Sequence, residues 1–141
     1  MMIGILVVTH GEFAKGLLGS IELIMGRPEN CKGFGLYHGD SIELFKEKVL
    51  KSIVELDEGD GVLVFSDLYG ASPYNAAAVS SKNLKNHKYR CISGVNLPML
   101  AEALNMRKNM KLDELTEYAM KCGKQGIKEF FNEMQKTNIN K

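Results

Sequence analysis

The stretch that decides the fold is Met2-Ile3-Gly4-Ile5-Leu6-Val7-Val8-Thr9-His10-Gly11. Residues 2–9 form a continuous apolar run rich in Ile and Val, which is typical of a strand buried on both faces and too short for a core helix. A second run of this kind, Val62-Leu63-Val64-Phe65, ends at Ser66-Asp67. The two runs predict strands of one parallel sheet, the first followed by His10 and the second by Asp67.

Helical patterns separate these strands. Apolar side chains recur at helical spacing over residues 13–25, 41–56 and 112–134, and two glycines near the middle of the last pattern indicate that it can divide into two helices. Asp40-Ser41-Ile42-Glu43 has the form of a capping box, which predicts Asp40 as the N-cap of its helix. Ser72-Pro73 predicts a further helix, with Ser72 as N-cap and proline in the first helical position.

Residues 31–37 predict a weaker strand, and residues 89–93 predict a fourth strand that is followed by a short helix around Met99. Strands that alternate with helices favour βαβ units with right-handed crossovers. We therefore expect a single domain of the α/β class, doubly wound, with a mainly parallel sheet in the flavodoxin-like strand order 2-1-3-4. In that order, ligands bind between strands one and three, where His10 and Asp67 lie.

Composition narrows the class of protein further. The chain has 141 residues, 45% of them hydrophobic, with 18 Lys and Arg against 17 Asp and Glu. Because the positive and negative charges nearly cancel, the chain has no large positive charge that would attract it to nucleic acid or to an anionic membrane. The three cysteines follow no metal-ligand spacing, and their odd number argues for a reducing compartment. The opening apolar run is far shorter than the roughly 20 residues of a spanning helix, so a cytoplasmic location is expected.

A histidine beside a carboxylate suits nucleophilic chemistry. If Asp67 accepts the hydrogen of one ring nitrogen of His10, it fixes the tautomer and leaves the other nitrogen as a nucleophile. Each residue also has an ordinary interpretation, because His10 alone is more often structural and Asp67 alone is more often a turn cap. His38 borders the same edge without an obvious carboxylate, and His87 is expected to be exposed at the opposite edge.

The glycine-rich turn after Asp67 suits an anion. The hydroxyl of Ser72 and the backbone N–H groups behind it are expected to point where a phosphoryl group binds, assisted by the helix dipole. Gly11 and Gly70 are expected to let the backbone approach closely, and Ala71 lies between Gly70 and Ser72. The alternative for Ser72 is an ordinary helix cap, and both descriptions can hold together.

Three segments resemble the IIA component of the mannose family of the bacterial sugar phosphotransferase system. They are Thr9-His10-Gly11, residues 67–77 and residues 94–100, which occur in the family's order and at similar separations. The resemblance covers about residues 2 to 130. It assigns residues 1–135 to a IIA domain and leaves 136–141 as a polar tail that is expected to fray.

The resemblance implies a phosphocarrier. His10 would accept a phosphoryl group from the phosphohistidine of HPr and pass it to the IIB component, which phosphorylates sugar entering through the membrane components IIC and IID. Asp67 would pair with the histidine and Ser72 would lie near the phosphate. A stand-alone subunit and a homodimer that exchanges a C-terminal segment are further expectations, and no motif calls for a metal or cofactor. Four residues are expected to form the partner surface: Phe13, Tyr69, Tyr74 and Met99.

Three alternatives remain open from the sequence. The first is the phosphocarrier subunit of a dihydroxyacetone kinase, which resembles this fold and also uses a histidine after the first strand. The second is a non-catalytic regulatory interaction domain related to IIA. The third, a flavodoxin-like nucleotide binder, ranks last because neither a P-loop lysine motif nor Gly-x-Gly-x-x-Gly follows the first strand.

Overall fold

The computed structural model describes residues 1–139, which form four strands and six helices. The strands alternate with helices up to β4, as the hydrophobic patterns predict, and the last three helices follow one another. A 3₁₀ turn, Ser80–Lys82, follows α3. The elements are β1 (Gly4–His10), α1 (Phe13–Met25), β2 (Cys31–Leu36), α2 (Ile42–Leu56), β3 (Val62–Ser66), α3 (Ser72–Val79), β4 (Tyr89–Ile92), α4 (Leu97–Met106), α5 (Leu112–Gln125) and α6 (Phe130–Ile139).

The sheet has the order β2-β1-β3-β4, and every pair in it is parallel. This confirms the predicted α/β class and the flavodoxin-like order 2-1-3-4. Strand β1 lies between β2 and β3, so that Thr9 is opposite Gly35 and Val8 is opposite Ser66. The carboxyl ends of β1 and β3 therefore meet at one edge of the sheet.

Side chains that alternate along the strands fill two cores. Ile5 and Val7 belong to the core covered by α1, α4 and α5, whereas Leu6 and Val8 belong to the core covered by α2 and α3. All four are fully buried, because β1 is covered on both faces. The alternation sends Thr9 to the side of α1 and His10 to the side of α3.

Two predicted helix caps are wrong by one residue. The N-cap of α2 is Ser41, whose hydroxyl accepts from Leu44 N, whereas the carboxylate of Asp40 accepts from Tyr37 N in the preceding turn. The N-cap of α3 is Ala71, and Ser72 is the first helical residue. In both places the sequence pattern locates the start of the helix to within one residue without fixing which residue is the cap.

The C-terminal pattern divides into two helices. Helix α5 ends at Gln125 with Gly126 as its C-cap, and α6 begins at Phe130. Within the predicted polar tail, residues 136–139 continue α6, whereas 140 and 141 lie outside the described residues. Among the helices described, none is both long and apolar enough to cross a membrane.

Candidate functional site

His10 and Asp67 meet at the sheet edge, as the strand order predicts. His10 Nδ1 lies 2.8 Å from Asp67 Oδ2, and the backbone N–H of His10 donates to the same oxygen at 2.9 Å. The carboxylate therefore holds both the ring and the main chain of the histidine. Since a carboxylate accepts, the hydrogen of the neutral imidazole lies on Nδ1.

The Asp67 carboxylate is held in its ionised form. Its second oxygen, Oδ1, accepts from the backbone N–H of Leu68 at 3.0 Å. Burial raises the pKa of Asp67, but the hydrogen bonds from the backbone and ring of His10 and from Leu68 outweigh burial, so this pKa lies below its ordinary value. An ionised carboxylate can stabilise positive charge on the imidazole.

The other side of the imidazole faces outward. The His10 side chain is 47% exposed, whereas that of Asp67 is 13% exposed. With Nδ1 turned toward the carboxylate, Nε2 carries the lone pair and is available to a reagent from outside. This arrangement suits attack by Nε2 on an electrophile, because the ring becomes cationic as the new bond forms and Asp67 already faces it.

The four residues predicted to bind phosphate follow the same two strands. Gly11 and Gly70 have φ values of +53° and +77°, which favour glycine, and a Cβ at either position would meet no atom within 4 Å. Backbone conformation, not close packing, therefore explains both glycines. Ala71 and Ser72 start α3, whose first turn contains no acidic residue to offset the partial positive charge of its N-terminus.

The predicted partner surface is partly exposed. Phe13 is 47% and Tyr69 80% exposed, and the rings of Tyr69 and Tyr74 lie 5.0 Å apart. Met99 is 6% exposed, so its side chain does not lie on the outer rim. It lines instead a groove of about 380 Å³ along β4, together with both tyrosines and Met120.

Comparison with known proteins identifies the family of this site. Residues 4–120 match the family model described as the PTS system fructose IIA component. The chain belongs to the mannose- and fructose-type IIA family of the sugar phosphotransferase system. The resemblance noted from the three sequence segments is thereby confirmed.

Relatives of this IIA chain include proteins named as EIIAB and as EIIA components. It is 37% identical over 129 residues to the mannose-specific EIIAB component of Escherichia coli, an alignment that spans 91% of this chain and 39% of that protein. The chain thus spans about two fifths of the length of these curated relatives. It is 32% identical over 114 residues to the fructose-specific EIIA component of Bacillus subtilis, covering 81% of this chain and 77% of that protein.

Solved IIA structures share the whole architecture. The EIIA component from Streptococcus agalactiae superimposes with a TM-score of 0.86 at 31% identity, covering 93% of this chain and 99% of that one. A IIA protein associated with the fucose utilization operon of Streptococcus pneumoniae gives a TM-score of 0.78 at 29% identity, covering 95% and 99%.

Gly94 and Val95 hold the carboxyl end of β3, next to Asp67 of this IIA chain. The sequence did not assign these two residues to the site. The backbone N–H of Gly94 donates to Asp67 O at 2.9 Å, and that of Val95 donates to Ser66 O at 3.1 Å. Gly94 has a φ of +74°, which favours glycine. The loop after β4 thus secures the end of β3. Gly94 and Val95 belong to the segment 94–100 that resembles the IIA family, but the pattern of side chains does not reveal their role, because it is made by backbone hydrogen bonds.

The other two histidines of the IIA chain differ in environment. His38 is exposed in the turn that follows β2. The prediction that His87 is solvent-exposed is wrong, because its side chain is 29% exposed and its Nδ1 lies 2.7 Å from Asp57 Oδ2. Asp57 also accepts from Gly59 N and Gly61 N, so this second pair joins the turn before β3 to the turn before β4.

Proposed function

We propose that this chain is a histidine phosphocarrier of a sugar phosphotransferase system, accepting a phosphoryl group from HPr on His10 and passing it to a IIB component. The observation that carries this proposal is the His10–Asp67 pair, with Nδ1 held at 2.8 Å and the opposite side of the ring half exposed. A carrier must be reached by two proteins in turn, and an exposed nucleophile at a sheet edge suits that task.

The transfer balances without a further reactant. The Nε2 lone pair of His10 attacks phosphorus as the phosphorus–nitrogen bond to the imidazole of HPr breaks, and the electron pair of that bond returns to HPr. The His10 ring becomes cationic while keeping its hydrogen on Nδ1, and Asp67 stabilises that charge. The reverse order of events, with the IIB component as acceptor, discharges His10.

Residues around the pair are assigned supporting roles in this proposal. Backbone groups of Gly11, Gly70 and Ala71, and Ser72 at the start of α3, would bind the phosphoryl oxygens. The surface that contacts HPr and the IIB component would include Phe13, Tyr69 and Tyr74. The buried Met99 would support this surface from the groove that it lines together with both tyrosines. Residues 1–135 would form the working domain in the cytoplasm, coupled through IIB to the membrane components IIC and IID.

The deciding experiment is phosphorylation with phosphoenolpyruvate, Enzyme I and HPr, followed by intact mass measurement and mapping of an acid-labile phosphate. We expect one phosphate on His10 and none on His10→Ala. His38→Ala is the matched control, because His38 is exposed at the same edge, and it should be labelled like the wild type. Phosphate still bound to the His10→Ala protein would overturn the assignment.

A second stage distinguishes the pathway. The phosphorylated protein is mixed with a mannose-family IIB component in one reaction and with a dihydroxyacetone kinase in another. We expect discharge to the IIB component. Discharge only to the kinase would favour the alternative phosphocarrier, and failure of HPr to label the protein would favour a regulatory domain.

We further propose that the chain is a homodimer that uses its C-terminal segment. Large apolar side chains on and before α6 are exposed, with Ile127 at 78% and Phe130 and Phe131 each at 68%. Exposed apolar side chains that are contiguous mark interaction surfaces. A second copy of the chain is the proposed partner for this surface.

A further inference from the structure

Thr9 lies next to the candidate nucleophile but points away from it. Its side chain is fully buried on the α1 side of the sheet, whereas His10 is exposed at the edge. The Thr9 hydroxyl accepts from the backbone N–H of Ala14 at 2.8 Å and donates to the carbonyl of His10 at 3.2 Å. It therefore fastens the carboxyl end of β1 to the first turn of α1.

This hydroxyl replaces an ordinary helix cap. The N-cap residue of α1, Glu12, makes no capping hydrogen bond with its side chain, and its carboxylate accepts instead from the hydroxyl of Tyr37 at 2.7 Å. Thr9 supplies the missing acceptor from inside the protein. The β1–α1 turn, which carries His10 and Gly11, is held at both ends by one side chain.

Gly35 supports the same turn from the neighbouring strand. It is the cross-strand partner of Thr9. A Cβ on Gly35 would overlap the carbonyl oxygen of Gly11 and lie 2.8 Å from its carbonyl carbon. The bare Cα lets the turn lie against β2, where Gly11 N donates to Leu36 O at 2.8 Å. Any side chain at position 35 would push the turn outward.

We propose that Thr9 and Gly35 are positioning residues, which set the backbone of His10 so that its ring and its N–H reach one oxygen of Asp67 together. This inference rests on the proposed function, since it explains how the nucleophile is aimed. Asp67 Oδ2 lies 2.8 Å from the ring nitrogen Nδ1 of His10 and 2.9 Å from its backbone nitrogen. The position of the ring therefore depends on the position of the His10 backbone. A displaced turn would lengthen one of these two hydrogen bonds, and Asp67 would then favour the Nδ1–H tautomer of His10 less strongly.

The test compares Thr9→Val with Thr9→Ser. Valine keeps the branched shape and removes the hydroxyl, whereas serine keeps the hydroxyl. We expect Thr9→Val to lower the rate of phosphoryl transfer from HPr by about 10- to 100-fold, mainly in kcat, because small displacements are costly in transfer reactions. Thr9→Ser should remain within about threefold of the wild type, since its hydroxyl can make both hydrogen bonds. Equal rates for Thr9→Val and the wild type would refute the role of Thr9.

A second readout separates aiming from general stability. The ¹⁵N shifts of the histidine rings report which nitrogen carries the hydrogen, and the His87–Asp57 pair serves as an internal control far along the chain from His10. In Thr9→Val and Gly35→Ala, the His10 signals should lose Nδ1–H character while those of His87 stay unchanged. Signals that move at both histidines, or at neither, would overturn the inference.

The two proposals fail in different ways. If HPr does not label the wild-type protein, the proposed function is lost, yet the ring shifts still decide whether Thr9 and Gly35 position His10. If HPr labels the wild type and Thr9→Val equally and the ring shifts do not change, only the positioning inference is lost.

Discussion

At the scale of single residues, the Asp67 carboxylate uses one oxygen for both the ring and the backbone of His10. This double contact ties the direction of the ring to the path of the chain. The pairing was predictable from the sequence, because adjacent parallel strands end at the same edge, and His10 ends β1 while Asp67 directly follows β3.

Replacing this carboxylate gives a sharp prediction. Asp67→Asn should slow transfer from HPr to His10 by at least about 100-fold, since the amide neither enforces the Nδ1–H tautomer nor offsets the cationic ring. The measurement is the rate of phosphate incorporation. Asp57→Asn removes the charge from the other histidine–aspartate pair and should retain the wild-type rate. An unaltered rate in Asp67→Asn would show that the carboxylate does not matter for transfer.

The second pair yields a prediction on stability and pH. Burial raises the pKa of Asp57, but hydrogen bonds from His87, Gly59 and Gly61 outweigh burial, so the pKa of Asp57 in the folded protein lies below its ordinary value. A depressed carboxyl pKa contributes stability above the unfolded value, and this contribution is lost as pH falls through the folded pKa. Asp57→Asn should reduce the free energy of unfolding by about 1 to 3 kcal/mol at pH 7.

Denaturant titrations at several pH values check this expectation. The difference between the wild type and Asp57→Asn should be full at neutral pH and should shrink below about pH 4, where the carboxyl of the unfolded chain takes up a proton. A difference that stays constant down to strongly acidic pH would contradict the linkage. The sequence could not predict this pair, because Asp57 and His87 lie in turns whose conformations hydrophobic patterns do not encode.

At the scale of elements, the start of α2 shows where pattern stops and geometry decides. Asp40 and Ser41 are both good N-cap residues, and the capping-box spacing favoured Asp40. The structure assigns the cap to Ser41, because Asp40 is already engaged by the N–H of Tyr37. The bounds of the four strands and of α1 and α2 were predicted to within a few residues, whereas the choice between adjacent caps depends on the turn before the helix.

Ser41→Ala should therefore lower the free energy of unfolding by about 1 kcal/mol, the usual cost of a lost N-cap hydrogen bond. Ser41→Asp is the matched control, since its carboxylate can accept from Leu44 N and should restore the stability. Chemical denaturation measures all three proteins. If Ser41→Ala were as stable as the wild type, the cap would contribute nothing to α2.

At the scale of the whole molecule, the C-terminal region is the part that the sequence predicted least well. Helical spacing continues from α5 through α6, so periodicity alone does not tell one long helix from two. The burial of the two differs, because Leu115 and Ala119 of α5 are fully buried while Phe130 and Phe131 of α6 are exposed. Tertiary packing, and not the local sequence pattern, decides which apolar helix face is buried within the chain.

The double variant Phe130→Ser, Phe131→Ser tests the proposed homodimer. We expect sedimentation velocity to show a dimer for the wild type and a shift toward monomer for the variant, because the exposed rings supply apolar area to the interface. Asn132→Ser, on the same helix, should leave the association unchanged. A wild-type protein that stays monomeric at high concentration would rule out the homodimer.

The half-exposed ring of His10 has a consequence for how long a phosphoryl group could remain bound to it. No described element closes over the imidazole, whose side chain is 47% open. A phosphoryl group waiting there would be shielded from hydrolysis only while a visiting protein covers it. In the isolated protein, hydrolysis by bulk water would then set the lifetime of the phosphorylated histidine. Rapid transfer between successive partners, and not a lid, would limit the loss of phosphoryl groups to hydrolysis.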